Sequence, residues 1–185
     1  MSGPAVAAHV RGAHVADLDR ITPLFDAYRQ FYGAAPDLAG AHQFLRTRLE
    51  RDESTLLLAV VRSSHIAGGE LERNTDALEN VAGANAGDNV VGFAQIYWSF
   101  SSISLGGIAV LNDLFVTPSH RGRGIAALLV DAALAHARRA GAIRLELSTQ
   151  HGNDTALRLY RAKKFVVDSD FAHLSLSITQ NPDRS

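Results

Sequence analysis

The fold can be predicted from residues 116–127, which read Val116-Thr117-Pro118-Ser119-His120-Arg121-Gly122-Arg123-Gly124-Ile125-Ala126-Ala127. An apolar strand ends at Pro118, two glycines separated by one residue follow, and a helix with an apolar face begins directly after them. The first amides of such a helix have no intrahelical acceptor, and they lie at the positive end of the helix dipole. Glycines let the backbone approach an anion closely, and Arg121 and Arg123 add positive charge. The segment is therefore typical of a pyrophosphate-binding loop.

Two other interpretations of this loop are possible from the residues alone. The glycines can simply cap the helix in a tight turn. The pattern Gly122-x-Gly124-x-x-Ala127 also matches a dinucleotide-binding fingerprint, and Glu146 follows about 20 residues on, where ribose recognition would require an acid. Only one further strand–helix unit follows the loop, so a complete dinucleotide-binding half-domain is difficult to assemble. A Walker loop is excluded because no Gly-Lys-Ser/Thr is present.

Working outward, the hydrophobic periodicity and the turn signals predict alternating strands and helices in one mixed sheet with helices on both faces. Asp17, Asp37 and Asn153 are the expected helix starts, and Gly33, Pro36 and Gly141 are the expected ends. The predicted strands are 6–10, 55–61, 90–100, 108–117, 143–148, 165–168 and 172–178, and the predicted helices begin near residues 17, 37, 125 and 153.

The whole chain, residues 1–185, is expected to form a single domain, with residues 63–89 as a long mobile insertion between two strands. The insertion is rich in Gly, Ala and Asn. It is also acidic, which would favour cationic substrates; its charged residues are Glu70, Glu72, Asp76, Glu79 and Asp88 against Arg73.

Composition excludes several classes of protein. The chain has 185 residues, 46% of them hydrophobic and 20% charged, which is typical of a globular protein. Its net charge of −1 argues against a dedicated nucleic-acid or membrane-surface binder. Because there is no cysteine, disulfides, thiolate metal sites and a cysteine nucleophile are excluded. The scattered histidines predict no metal site, and residues 1–10 do not resemble a secretory signal, so a cytoplasmic location is expected.

Two motifs carry a resemblance to a known family. The pattern Arg121-x-x-Gly124-x-Ala126, after the strand Leu114-Phe115-Val116, resembles the acyl-CoA-binding signature of the GNAT superfamily of N-acetyltransferases. Residues 153–165 resemble the family segment Asn-x-x-Ala-x-x-x-Tyr-x-x-x-Gly-Phe, with Asn153, Ala156, Tyr160 and Phe165 at the matching positions. The resemblance spans about residues 58–165 in element order, and its sharp motifs lie within residues 112–165.

The sequence departs from the family pattern at one position. Lys164 stands where the family usually has glycine, which would allow a left-handed residue after the helix. A lysine in that conformation costs about 1 kcal/mol.

The resemblance implies a mostly antiparallel, twisted α/β sheet and acetyl-CoA as co-substrate, with no metal. It implies that Val116 donates its amide to the thioester oxygen, that Asn153 reaches the pantetheine arm, and that Tyr160 is the general acid that protonates the departing thiolate. It also implies two groups of backbone contacts to the cofactor. Leu114, Phe115 and Val116 pair with pantetheine as an added strand would, and the pyrophosphate is held by Arg121, Gly122, Arg123, Gly124, Ile125, Ala126 and Ala127.

The sequence specifies the residues that would bind the acceptor amine less clearly than those that would bind the cofactor. Asp113 interrupts an apolar strand, where a buried carboxylate is costly without a partner. It either binds or deprotonates an ammonium group, or it makes a structural hydrogen bond at a bulge. The strand looks similar to that of small polyamine and diamine acetyltransferases, which often have a Glu at the position of Asn112. Glu146 or a water relay is the alternative base, and Tyr97 and Trp98 are candidate pocket residues.

Together these features predict an acyl-CoA-dependent N-acetyltransferase that acts on a small, cationic primary amine by direct transfer in a ternary complex. The lack of cysteine disfavours an acyl-enzyme route. An NAD-binding oxidoreductase and a non-catalytic CoA-binding module are the alternatives. A homodimer is common in the family, but no residue of this sequence identifies an interface.

Overall fold

Residues 8–62, 88–169, 172 and 174–176 are described by the structure, a computed structural model. The predicted insertion 63–89 lies outside the described residues, except for its last two positions, which belong to a strand. The strands are β1 (Ala8–Gly12), β2 (Ser54–Arg62), β3 (Asp88–Ser101), β4 (Gly106–Val116) and β5 (Arg144–Leu147). The helices are α1 (Leu18–Phe31), α2 (Leu38–Glu50), α3 (Ile125–Arg139) and α4 (Asp154–Ala162).

The strands form one sheet in the order β1-β2-β3-β4-β5. The first three pairings are antiparallel, and β4 pairs with β5 in parallel across the α3 crossover. Within the described residues this confirms the predicted mixed, mostly antiparallel sheet.

Helices cover both faces of the sheet. Neighbouring side chains of a strand point to opposite faces, and on β2 Leu56 packs in the α1–α2 core while Thr55 meets His136 of α3 at 3.1 Å. The core on the first face consists of Leu18, Ile21, Phe25, Ala41, Leu45, Leu56, Leu58, Val60, Val90, Phe93 and Phe115. The apolar side of α3 that is buried consists of Ile125, Leu129, Val130, Ala133 and Ala137.

A β-bulge interrupts β4 at the position where the sequence has two polar residues. Gln95 of β3 pairs with Asp113, but the next residue, Ile96, pairs with Leu111. Asn112 is therefore an extra residue without a partner on β3, which is the definition of a bulge. The bulge turns Asp113 onto the α1–α2 face of the sheet, the face that also holds Gln95 and Leu56.

The far end of β4 extends beyond its parallel neighbour. The pairing of β4 with β5 ends at Leu111 and Leu147, while β4 continues to Val116. Within the described part of the chain, residues 113–116 of β4 pair with β3 on one side and with no strand on the other. This leaves an open strand edge that leads directly into the predicted phosphate loop.

The chain divides into two compact units, Met1–Ser148 and Thr149–Ser185. The sheet and α1–α3 belong to the first unit, and α4 belongs to the second. A single domain over residues 1–185 stays a prediction. In the ranges 8–62 and 88–169, no helix has the length and apolar character needed to cross a bilayer.

The predicted strand 165–168 is not observed, and the described residues of the predicted strand 172–178 are not in a strand either. Residues 165–169 are described and are not in a strand, and neither are residues 172 and 174–176. The consecutive Val166 and Val167 are 90% and 77% exposed. Apolar, β-branched runs carry only a local preference, whereas a strand exists only where a neighbour pairs with its backbone.

Lys164, just after α4, has the left-handed conformation expected at a position where the family usually has glycine. Lys164 has φ +69°, and the Phe165 amide donates to the Tyr160 carbonyl at 3.0 Å. This is a helix C-terminus of the kind that glycine favours. Lys163, one residue earlier, has an ordinary φ of −85°.

We expect Lys164→Gly to stabilise the protein by about 1 kcal/mol, because it removes the strain of a left-handed lysine. Lys163→Gly is the matched control and should destabilise by at least about 0.5–1 kcal/mol, because it adds unfolded-state entropy and also removes the interaction of the Lys163 side chain. Urea denaturation of the two variants and the parent measures both effects. A loss of stability in Lys164→Gly would contradict the strained conformation.

Candidate functional site

The loop between β4 and α3 presents a row of backbone amides. Gly122 and Gly124 have φ of +71° and +80°, a region that other residues avoid, and Gly124 is the N-cap of α3. The first hydrogen bond into the helix runs from the Leu128 amide to the Gly124 carbonyl at 3.0 Å. Among the described residues, no acceptor binds the six amides of residues 122–127. An anion is the natural partner for amides at a helix N-terminus.

The side chain of Arg121 makes contacts to other residues of the protein. Its Nε donates to the Val116 carbonyl at 3.0 Å. Its guanidinium carbon lies 5.7 Å from the centre of the Phe115 ring and 5.9 Å from that of Phe31, at the end of α1. Arg121 thus anchors the loop to β4, and the predicted pyrophosphate contacts fall chiefly to the amides that follow it.

The open edge of β4 adds hydrogen-bonding groups beside the loop. The Thr117 amide donates to Val91 on the β3 side at 2.9 Å. Because successive amides of a strand point in opposite directions, those of Val116 and Leu114 are directed away from β3, towards the open edge. Leu114, Phe115 and Val116 are therefore placed as a strand to which an extended molecule can add by main-chain hydrogen bonds.

Asp113 is buried beside this edge and has only neutral partners among the described residues. It is 6% exposed, and Asn112 Nδ2 donates to its Oδ1 at 3.1 Å. Tyr28 of α1 also donates to the carboxyl group. Burial raises the pKa of Asp113, although these two hydrogen bonds act in the opposite direction. No described ion pair includes it. The bulge at Asn112 and the hydrogen bond from Asn112 to Asp113 give Asp113 a structural role. Asp113 is at the same time a buried acid that makes no ion pair with a described residue.

The structure brings Tyr97 near Asp113 but places Trp98 on the other face. Burial first, and then the nearby Asp113, raise the pKa of Tyr97 to about 12. The Trp98 ring lies 6.2 Å from that of His136 on α3. Adjacent strand residues alternate faces, so Trp98 does not join Tyr97 and Asp113.

Glu146 lies on β5 opposite Val110, before the bulge. Its carboxylate contacts Arg144 Nε at 2.5 Å, and both side chains are about half exposed. This carboxylate is thus occupied by a surface ion pair, which is worth little energetically.

The second unit holds the other two predicted site residues on one helix. The Asn153 side chain caps α4 by accepting from the Ala156 amide at 3.2 Å. Tyr160 lies seven residues on, about two turns, so both are on the same side of α4. The Tyr160 ring packs against Phe165 with 5.7 Å between centroids.

Two residues beside Asp113 were not predicted. Tyr28 belongs to the apolar stripe of α1, and no sequence signal separates it from packing aromatics. Gln95 does have a signal, because it is the one amide side chain within the apolar run of residues 90–96. It is fully buried, and its Nε2 donates to Ser54 Oγ at 2.9 Å.

The chain is similar to known proteins in sequence and in fold. Residues 25–165 match the model of the acetyltransferase (GNAT) family. The chain is 37% identical over 170 residues to the uncharacterized N-acetyltransferase YhfO of Bacillus subtilis (strain 168), covering 92% of this chain and 97% of that protein.

Solved structures of acetyltransferases share the fold. A crystal structure of a probable acetyltransferase superposes with a TM-score of 0.74 and 31% identity, covering 94% of this chain and 99% of the other. An aminoglycoside acetyltransferase from an uncultured soil metagenomic sample, in complex with sisomicin, superposes with a TM-score of 0.64 and 18% identity, covering 93% and 97%. The second likeness concerns the fold alone.

Proposed function

The chain belongs to the GNAT family of acetyltransferases, and we propose that it transfers an acetyl group from acetyl-CoA to the primary amine of a small cationic molecule. As a family member it is an acyl-CoA-dependent N-acetyltransferase, so the dinucleotide interpretation of the Gly122–Gly124 loop is wrong. The acceptor class, the direct transfer in a ternary complex and the residue roles below are the proposal.

The observation that carries the cofactor assignment is the row of amides at residues 122–127, next to the open edge of β4. A pyrophosphate requires several converging donors, and these amides have no acceptor of their own within the described residues. The pantetheine arm is an extended chain with amide groups, which suits the outward amides of Leu114 and Val116. Acetyl-CoA supplies the acetyl thioester that the amine attacks.

The acceptor assignment rests on Asp113. A buried carboxyl group without a cation is unfavourable, and in proteins such charges are normally paired. An incoming ammonium group would supply the missing cation and would favour the ionised form of Asp113. Because no positively charged side chain is paired with it in the described residues, we assign the place of that cation to the substrate.

Two proton movements accompany transfer. The ammonium group must lose a proton, and Asp113 is the proposed acceptor, directly or through water. The departing thiolate must gain one, and Tyr160 is the proposed donor, since a phenol of pKa about 10 can protonate a thiolate whose conjugate acid lies near 8.5 as charge develops. The Val116 amide is the proposed donor to the thioester oxygen.

An acetylation screen with detection of the free CoA thiol tests the proposal. The panel contrasts a polyamine, a lysine-like amino acid and an aminoglycoside with neutral primary amines of similar size, and it includes a peptide with a free N-terminus. Preference for the cationic amines and intersecting double-reciprocal lines are expected. Parallel lines would exclude the ternary complex, and binding of CoA without any acetylation would support the non-catalytic alternative.

Replacing Asp113 tests the acceptor site directly. Asp113→Asn keeps the shape but removes the charge, and we expect KM for the cationic amine to rise by roughly 10- to 100-fold, as for loss of a charged hydrogen bond of about 1.5–3 kcal/mol. Glu146→Gln is the matched control and should change KM little, because Glu146 is engaged with Arg144 at the surface. A larger effect at Glu146 would transfer the role to that carboxylate.

A homodimer and a cytoplasmic location stay predictions.

A further inference from the structure

The side-chain oxygen of Gln95, in the interior of the first unit, accepts no hydrogen bond from any described residue. The side chain is fully buried, and its Nε2 donates to Ser54 Oγ. An unsatisfied buried carbonyl costs about 1–3 kcal/mol. Such a group in the middle of a sheet calls for a donor that comes from a neighbouring residue.

Asp113 is the neighbour that can provide one. Gln95 and Asp113 are directly opposite in the β3–β4 register and share the α1–α2 face. Opposite residues in an antiparallel pair have Cβ atoms about 5 Å apart, within reach of one another's side chains. As an ionised carboxylate, Asp113 offers only acceptor oxygens, which would repel Oε1. As a carboxylic acid, it has one O–H group to donate.

We propose that Gln95 is a positioning residue for Asp113: in the free protein the Asp113 carboxyl group keeps its proton and donates it to Gln95 Oε1. Ser54 of β2 binds the Nε2 end of the amide, and β2 lies on the side of β3 away from β4. Asn112 Nδ2 and Tyr28 both donate to the carboxyl group, which leaves its own O–H free to donate to Gln95.

The groups that face Asp113 are Tyr28 from α1, Gln95 and Tyr97 from β3, and Asn112 from its own strand. The hydrogen bonds from Tyr28 and Asn112 favour the ionised form, whereas burial favours the protonated form and has the larger effect. The charged residues Arg48 of α2 and Glu53 act on Tyr97, and Arg48 is itself paired with Glu53. No cation is set against Asp113 in the described residues, and burial raises its pKa.

This pair would control the pH at which the acceptor site accepts a cation, a consequence that rests on the proposed function. Below the pKa of Asp113 the carboxyl group is neutral and attracts an ammonium group weakly. As pH rises through that pKa, the proton leaves to water, and the carboxylate becomes available to the amine. A hydrogen bond from the neutral form to Gln95 raises the pKa further, so Gln95 shifts this change to higher pH.

The test is the infrared C=O band of the protonated carboxyl group, followed against pH in the full chain without acceptor or acetyl-CoA. The C=O band that is present in the parent protein and absent in Asp113→Asn is assigned to Asp113. Gln95→Met keeps the length but removes the oxygen, and we expect the midpoint to fall by about one pH unit, the equivalent of one hydrogen bond. Gln95→Glu places a second carboxyl group beside Asp113 and should raise the midpoint instead.

Thr55→Val is the control for a lost hydroxyl hydrogen bond on β2, since Thr55 points to α3. Its midpoint should equal that of the parent. An unchanged midpoint in both Gln95 variants, or no band assignable to Asp113, would overturn the proposal. These readouts need no substrate, so they fail separately from the acetylation screen. In a separate measurement on the active enzyme, the pH at which KM for the amine rises on acidification should shift by the same amount as the infrared midpoint.

Discussion

Gly124→Val should weaken acetyl-CoA binding by roughly 100-fold or more, while the fold remains. Gly124 has φ +80°, which a β-branched residue avoids, so the backbone must turn away from the conformation that aligns the amides. Losing two charge-assisted hydrogen bonds of about 1.5 kcal/mol each corresponds to this change in Kd. Calorimetric titration with acetyl-CoA, or with CoA, measures it.

Gly141→Val is the matched control for strain. Gly141 follows the other end of α3 with φ +78°, and a Cβ at either glycine would meet no atom within 4 Å. Both variants should therefore lose a similar 1–2 kcal/mol of stability, but only Gly124→Val should lose the cofactor. Equal cofactor affinity in the two variants would show that the loop does not bind the pyrophosphate.

Tyr160→Phe should lower kcat by about 100-fold or more, in the usual range for loss of a general acid. The phenyl ring keeps the packing against Phe165 but has no proton to donate. The Kd for acetyl-CoA should therefore change much less than kcat. Pre-steady-state measurement of thiol release, with the Kd measured in parallel, separates the two effects.

Tyr32→Phe removes a phenol hydroxyl at a half-exposed position, the C-cap of α1, and is the control for this change. It should leave both quantities within twofold, since surface substitutions have small effects. An unchanged kcat in Tyr160→Phe would remove Tyr160 from the reaction, and a parallel loss of acetyl-CoA binding would make it a cofactor-binding residue only.

Local sequence could predict the helix caps and the glycine before α3, because each depends on interactions between residues only a few positions apart. Asp37 and Asn153 cap their helices as expected, because capping depends on an amide three residues away. Gly124 is the N-cap of α3 and lies in the left-handed region. The motif at residues 121–126 is a local signal of the same kind, and the family that it indicates is confirmed.

Pairing between strands could not be predicted in the same way. Asp113 stood out as a polar residue in an apolar strand, but the bulge at Asn112 that turns it towards α1 depends on the β3–β4 register. The same register places Tyr97 with Asp113 and sends Trp98 to α3. The strand predicted at 165–168 was wrong for the same reason, since strand propensity does not supply a pairing partner.

Sequence alone was sufficient for the conformation of the loop before α3 and for the helix caps, because glycine conformation and capping act over short stretches of chain. The meeting of Gln95, Asp113 and Tyr28 was decided by the tertiary structure. These residues come from β3, β4 and α1, and no periodicity links them. A one-residue change in register would move Asp113 to the other face of the sheet, because strand side chains alternate at every position.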